Sequence, residues 1–385
     1  MKNNIHIYPT IMTHESRIYK ISETISNLQY FDNIFLLGIN NGKLKKEELF
    51  KKNIYIYRLE MNENQWLKTG LYIKAFNVLI LTYKTFYFLK QKQPSVIHAH
   101  NLASLPVCVL FKIFNKDVKI VYDTHEIESR RNGWSRFTQF IARKIEKFLI
   151  QFCEVTVVVN DKIKELYKEW YKIKAIRIFN TPFYNNLKKN NYFREKFSLS
   201  EKTKIFVYVG GIDNSRGVDH YFNFSSQTDM DICFIFIGKI LKDKEEIKSI
   251  SEKSDKIFIH DALPLDQLYS VLRSADYSLQ ALHLRDSLAM NNLLGLGNKF
   301  FESAMAGLPM IGGGFESQHR LIIENNLGVI IEHGDEVRSI EKAVKKIISM
   351  DYPSLQKNCF SFFEKNNWDT ESHKINNYYD KLMKD

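Results

Sequence analysis

The sequence predicts an α/β protein of two Rossmann-like domains, each a parallel sheet wrapped by helices. Three observations carry this expectation. Short β-branched and aromatic runs alternate with helical patterns from end to end, the signature of βαβ units. A polar stretch with one proline, Asn180 to Lys204, parts these runs into two series and reads as a linker. The 385 residues are 44% hydrophobic and 26% charged, which supplies two cores and excludes a disordered or fibrous chain.

Thirteen runs qualify as strands. The first series is Ile5 to Tyr8, Ile34 to Leu37, Ile54 to Tyr57, Val96 to His98, Ile120 to Tyr122, Val155 to Val159 and Ile176 to Ile178. The second is Ile205 to Val209, Cys233 to Ile237, Ile257 to His260, Tyr277 to Leu282, Met310 to Ile311 and Val329 to Ile331. Domains are therefore expected at 1–185 and 200–365. No repeat of solenoid or propeller length interrupts them.

Two helical segments of the first domain stand out. Gln65 to Lys92 is apolar nearly all round, with lysines at 68, 74, 84 and 90. It reads either as a buried core helix whose lysines reach out to solvent or as a face presented to lipid. Trp134 to Phe152 sets Phe137, Phe140, Ile141, Ile145, Phe148 and Phe152 on one side and Arg136, Arg143, Lys144 and Lys147 largely elsewhere. Such a helix lies on an anionic membrane or packs on the sheet as an ordinary surface helix.

Charge is uneven along the chain. The formal balance is +11; residues 1 to 185 hold 29 Lys+Arg against 16 Asp+Glu, a balance of +13, and the remainder stands at −2. A basic first half suits an anionic partner. No apolar run reaches the length of a membrane span, and the start, MKNNIHIYPTIMTHESR, lacks the apolar region of a secretory signal, so a cytoplasmic protein, at most peripheral on the membrane, is expected. Cys108, Cys153, Cys233 and Cys359 form no CxxC pair and read as reduced core residues.

Open parallel sheets bind ligands beyond the carboxyl ends of their strands, so the residues just after each strand matter most. Gly210-Gly211-Ile-Asp-Asn-Ser-Arg216 offers backbone N–H groups and a guanidinium to an anion, or is a plain turn. Gly238 ends the next strand. Asn298-Lys299-Phe-Phe-Glu302 opens a helix that closes at Gly307, placing a cation and a carboxylate one turn apart, where the glutamate either favours its helix dipole or accepts from paired sugar hydroxyls. Asp123, His125 and Glu126 follow one strand, where a histidine beside carboxylates can move a proton or bind a sugar hydroxyl. His98 and His100 end the strand before it, without the partner spacing of a metal site, and no metal is expected. His14, Glu15 and Arg17 open the helix after the first strand.

Together these residues resemble the GT-B glycosyltransferases that use nucleotide sugars, in particular the large retaining family known as family 4 or group 1. The landmarks are SRIYKISETIS, VIHAHN, VYDTHE, YVGGIDNSRGVD, FIFIGK, LPLDQLYSVLRSADYSL and NKFFESAMAGLPMI. The resemblance implies two domains facing a cleft, the first for acceptor and the second for the nucleotide diphosphate sugar, and a helix over 366–385 that crosses back onto the first. It implies Glu302 on the ribose, Lys299 and Asn298 on the diphosphate side, Gly210, Gly211, Gly238 and Arg216 at the phosphates, and Asp123, His125 and Glu126 near the transferring sugar. His14, Arg17 and His100 fall on the acceptor side. No cofactor beyond the donor is implied. Many members carry a second glutamate eight residues before the one matching Glu302, where this chain has Leu294, and a phosphate-binding arginine where it has Gly211. The expected reaction is sugar transfer to a glycan or lipid-linked acceptor in bacterial-type surface polysaccharide synthesis, with an anionic membrane surface as a further partner. A sugar-nucleotide epimerase or hydrolase of the same fold is the alternative. A basic nucleic-acid-binding protein has no reading motif to support it, and no nucleic-acid partner is expected.

Overall fold

The computed structural model describes residues 1–40, 42–61, 71–131, 133–280, 290–313, 316–332 and 336–384. It divides into two compact units, Met1–Asn180 with Glu371–Asp385, and Thr181–Thr370.

The first unit runs β1 (Asn3–Ile7), α1 (Ser16–Asn27), β2 (Asn33–Asn40), β3 (Glu47–Lys51), β4 (Ile54–Glu60), α2 (Leu71–Lys92), β5 (Pro94–Ala99), α3 (Leu105–Phe114), β6 (Lys119–Thr124), α4 (Arg136–Leu149), β7 (Val155–Val158), α5 (Asp161–Tyr171) and β8 (Ile176–Arg177). Its sheet has the order β3-β4-β2-β1-β5-β6-β7-β8 and is parallel throughout except for β3 against β4. Successive strands step one way from β1 to β2 and the other way from β5 onward, so the order reverses between β1 and β5. Such a reversal opens a crevice at the carboxyl ends of the two strands.

The second unit runs α6 (Tyr192–Phe197), β9 (Lys204–Val209), α7 (Val218–Ser225), β10 (Ile232–Ile237), α8 (Lys244–Lys253), β11 (Ile257–His260), α9 (Leu265–Leu272), β12 (Tyr277–Leu279), α10 (Met290–Leu294), α11 (Asn298–Met305), β13 (Met310–Gly312), α12 (Glu316–Glu324), β14 (Gly328–Ile330), α13 (Glu336–Ser349) and α14 (Tyr352–Asn366). Its six strands are all parallel in the order β11-β10-β9-β12-β13-β14, with the reversal between β9 and β12. Strands such as β10, buried along its whole length, read as continuous apolar runs because helices cover both faces of the sheet.

Each of the thirteen expected runs holds a strand; residues 281 and 282 of one lie outside the described residues. The fourteenth strand, β3, is EELFK with alternating exposure at the sheet edge. Its charges hid it, and charges are what an edge strand tolerates. Asn180 to Lys204 is not a free linker. Phe193 within α6 is fully buried, and Phe197 stacks on Phe258 with ring centroids 4.6 Å apart. A few apolar anchors in a polar stretch are enough to pack it into the second unit's core.

The helix over Gln65 to Lys92 is described from Leu71, and it is not buried all round: Phe88 and Leu89 face the core while Phe76, Leu79 and Tyr83 are exposed. Lys68 lies outside the described residues. Helix α4 starts at its cap, Ser135, whose hydroxyl accepts from Thr138 N at 3.1 Å, and ends at Leu149 in a short 3-10 turn. Its one acid, Glu146, is fully buried and accepts from the hydroxyls of Tyr122, Tyr167 and Tyr171 at 2.9, 2.5 and 2.6 Å. Those three bonds tie α4 to β6 and α5.

Helix α15 (Trp368–Lys384) returns the chain to the first unit from Glu371 onward. There Glu371 accepts from Arg177 Nη1 at 2.7 Å and from Phe179 N at 2.9 Å, and Tyr379 Oη accepts from Asn4 Nδ2 at 3.0 Å. Among the described residues no helix is long and apolar enough to cross a membrane. The four cysteines are free thiols, all buried except the half-buried Cys153.

Candidate active site

Register builds the first unit's site. His98 and His100 are two apart along β5 and its extension, so their rings share a face, and His6 on β1 pairs with His98 across the reversal point. The three rings stack, with centroids 4.7 Å (His6 to His98), 5.0 Å (His6 to His100) and 4.5 Å (His98 to His100) apart. All three are closed to solvent. Burial holds His6 and His98 well below the ordinary histidine value and draws His100 to about 3, so the stack is neutral at pH 7.

Asp123 organises the neighbouring groups. Its carboxylate accepts from Arg17 Nε at 2.9 Å and Nη2 at 2.7 Å, a two-pronged pair inside the protein, while Arg17 Nη1 donates to Ile178 O at 3.1 Å. Burial pushes the Asp123 carboxyl up, but the Arg17 charge and hydrogen bonds from His100 and Arg17 outweigh it and hold it well below the usual range. His100 Nδ1 stands 3.3 Å from Asp123 Oδ2. A lone pair there would face a carboxylate, so Nδ1 carries the proton and His100 Nε2 accepts from His6 Nδ1, 2.8 Å away. His100 Nδ1 also lies 3.2 Å from His125 Nε2, which itself stands 3.7 Å from Asp123 Oδ2. Arg17 thus holds the Asp123 carboxylate that both His100 and His125 face.

His125 is the member of this chain that reaches the surface, with its side chain 22% exposed, and burial draws it to about 4. Glu126 is half-buried beside Arg131 Nε at 3.3 Å, and His14 is exposed just before α1. Arg17, Asp123 and His100 are enclosed behind His125 in this structure. Two groups escaped the sequence reading. His6 shows no signal until register places it, and Glu128, two residues past Glu126, is buried, accepts from Leu102 N at 3.1 Å and Arg131 Nη2 at 3.0 Å, and is pushed up to about 8 by burial.

Two groups of side chains here lie close enough to suggest a cation: His6, His98 and His100, and His100, Asp123 and His125. In the first group His6 Nδ1 and His100 Nε2 are already bound to each other at 2.8 Å, which occupies one ligand atom of each. In the second group the Arg17 guanidinium already occupies the cation's place on Asp123.

The second unit's site flanks its own reversal point. The loop from Gly210 follows β9, and α11 lies beside β12, tied by Ser303 Oγ to Ser278 Oγ at 2.7 Å. Gly211 O accepts from Tyr208 Oη at 3.2 Å, and Arg216 is exposed, its charge lowering the Tyr208 phenol against the rise that burial imposes. Gly238 is a glycine for packing: a Cβ there would stand 1.8 Å from Gly210 O, and its φ of +151° suits no side chain. Gly307 closes α11 at φ +65°, with Phe360 filling the space a Cβ would need.

At the start of α11, Asn298 is exposed, Lys299 half-buried and Glu302 buried, with Lys299 Nζ 3.1 Å from Glu302 Oε2. Glu302 lies beyond the first helical turn, which contains no acid, so a favourable helix dipole does not account for it. The cap of this helix, Gly297, offers no side chain, and Phe300 N donates to Gly297 O at 3.1 Å. Leu294, where many relatives of the resembled family have glutamate, accepts from Ser317 Oγ through its carbonyl at 2.9 Å.

Two family models match this chain: Glycosyltransferase Family 4 over residues 68–182 and Glycosyl transferases group 1 over residues 189–360. The second match contains the glycine loop and the Lys299–Glu302 helix. The chain is a glycosyltransferase of the GT-B fold. This glycosyltransferase is similar over 99% of its length to sucrose-phosphate synthase from Thermosynechococcus elongatus, with 12% identity, 99% of that chain covered and a TM-score of 0.75. The lipopolysaccharide outer core galactosyltransferase WaaB matches at 14% identity and TM-score 0.69, with 99% and 100% of the two chains covered. Anabaena HepE in complex with UDP-glucose matches at 11% and 0.68, with the same coverage. No curated protein sequence matches significantly.

Proposed function

We propose that this glycosyltransferase moves a sugar from a nucleoside diphosphate sugar to a glycan or lipid-linked acceptor in surface polysaccharide synthesis of bacterial type, with retention at the anomeric carbon. The observation that carries the donor reading is the buried Glu302 carboxylate beside Lys299, at the reversal point of the second sheet. A carboxylate withdrawn from water accepts the paired hydroxyls of a ribose. Lys299, Asn298, Arg216 and the Gly211 N–H then meet the diphosphate, with Gly210, whose own N–H donates to Ile237 O at 3.0 Å, allowing the close approach. As the bond from anomeric carbon to diphosphate breaks, the acceptor hydroxyl oxygen bonds to that carbon and its proton passes to the departing diphosphate oxygen, while these cations and N–H donors stabilise the departing charge without a metal or further cofactor. HepE holding UDP-glucose and the lipopolysaccharide substrate class of WaaB support this reading.

In the first unit, His125 is neutral at pH 7 and binds a sugar hydroxyl rather than supplying a proton. Glu126 and the exposed His14 flank the acceptor. The enzyme works peripherally, at the cytoplasmic face of a membrane that carries its acceptor. Glu302→Ala is expected to lower donor turnover tenfold or more, equivalent to about 1.4 kcal/mol of transition-state binding. Unchanged turnover in that variant removes Glu302 from the donor site.

A further inference from the structure

Helices α2, α3 and α4 lie side by side on one face of the first sheet, α2 touching α3 and α3 touching α4. Their outer surface is apolar to an unusual degree: Phe76, Leu79, Tyr83, Phe114, Phe137 and Phe148 are each 61–75% exposed. Soluble surfaces scatter such side chains singly, and a contiguous set marks an interaction site. The same helices contain nine Lys and Arg and one carboxylate, Glu146, which is buried against three tyrosine hydroxyls. The outward face of the three helices therefore presents rings and cations and no acid of its own; Lys112, at the rim, is paired with Glu154 of the adjoining loop.

We infer that this three-helix face seats the enzyme on an anionic lipid bilayer, rings in the headgroup and acyl boundary and cations on the lipid phosphates. The pattern of charge selects this occupant. A second copy docked face to face would set cations against cations. A neutral protein partner would leave the cations without a counter-charge, whereas a bilayer surface offers apolar depth and negative charge together. The placement also serves transfer. Helix α4 begins ten residues after Glu126, at the sheet end that carries His125, so Arg136 and Phe137 at its start stand on the site's side of the sheet. An acceptor anchored in the bilayer is then delivered to that end. This inference rests on the lipid-linked acceptor reading and is tested without acceptor or donor.

The full chain is mixed with vesicles of phosphatidylcholine alone or with about 30% phosphatidylglycerol, and bound protein is measured by sedimentation at low and high salt. Binding to the anionic vesicles, weakened by salt, is expected, with little on the neutral ones. Phe137→Ser with Phe148→Ser should weaken it about tenfold or more for each ring. Arg136→Gln with Lys144→Gln and Lys147→Gln should weaken it about a hundredfold, at about fivefold per cation. Leu265→Ser with Ile323→Ser, which alters exposed apolar residues of the second unit, should leave it unchanged. Melting temperatures of all variants verify folding. Equal binding to neutral vesicles, no binding, or undiminished binding by both α4 variants overturns the inference. So does a concentration-dependent dimer that the Phe137→Ser, Phe148→Ser variant abolishes, which assigns the face to a second copy. A nucleotide-induced thermal shift measured in parallel reports on the donor reading separately: vesicle binding without any nucleotide response leaves this surface standing and the transferase reading in difficulty.

Discussion

Acidification tests the histidine stack most severely. His6, His98, His100 and His125 have an ordinary value of 6.5 and are all lowered in the folded protein, His100 to about 3 and His125 to about 4. Between pH 6.5 and the folded values, the unfolded chain takes up protons that the folded chain refuses. Stability is therefore fully present above about pH 6.5 and is lost as pH falls. One proton of difference costs about 1.4 kcal/mol per pH unit, so near pH 5.5 four histidines together cost about 5. Glu128 acts in the opposite sense. Its folded value near 8 against an ordinary 4.5 means that the folded chain holds a proton the unfolded chain has released, which offsets about 1.4 kcal/mol per unit across that window. The net loss is about 3.5 kcal/mol per pH unit near pH 5.5. For a unit of this size that is a fall in melting temperature of about 7–14 °C per unit. Thermal melts followed by circular dichroism at pH 7.5, 6.5 and 5.5 measure it, with His98→Asn expected to flatten the slope by about one histidine's share. A melting temperature that stays constant down to pH 5.5, or a slope untouched by His98→Asn, would refute a buried neutral stack.

Three further outcomes follow from packing. Glu146→Ala leaves three buried tyrosine hydroxyls without their acceptor and should destabilise the first unit by about 3 kcal/mol or more, read from denaturant midpoints. Arg17→Leu strands the Asp123 carboxylate inside the protein and should cost about 3–5 kcal/mol, while Arg17→Leu combined with Asp123→Leu should recover much of it. Gly238→Ala drives a methyl group into Gly210 O and should weaken nucleotide binding in calorimetry more than it lowers the first unit's stability.

Strands were legible where their apolar runs were continuous, because parallel strands covered on both faces need apolar residues at every position. β3 escaped because its charged, alternating sequence answers to an edge. The polar count of Asn180 to Lys204 hid Phe193 and Phe197, two anchors that decide where the segment packs. In the candidate site, residues after strands could be found from topology alone, and Asp123, His125 and Gly210 stand on that ground, whereas the role of Glu302, inside a helix, was legible only through the resemblance of NKFFESAMAGLPMI to a family motif. What they touch could not be read. The pairing of His6 with His98 depends on which strands lie side by side, and the enclosure of Arg17 depends on α1 covering the end of β6. The sequence of α2 left open whether it is buried or faces lipid, since periodicity shows that a helix has an apolar face without showing what covers it.

The most direct test of the account is a thermal-unfolding panel with UDP, GDP, ADP, CMP and NAD. A nucleotide at about 100 times its dissociation constant stabilises the native state by about 2.7 kcal/mol. The account predicts a shift with one nucleoside diphosphate, absent with NAD and lost in Glu302→Ala. A shift that survives in Glu302→Ala, or no response to any nucleoside diphosphate, would contradict the donor site placed at the start of α11.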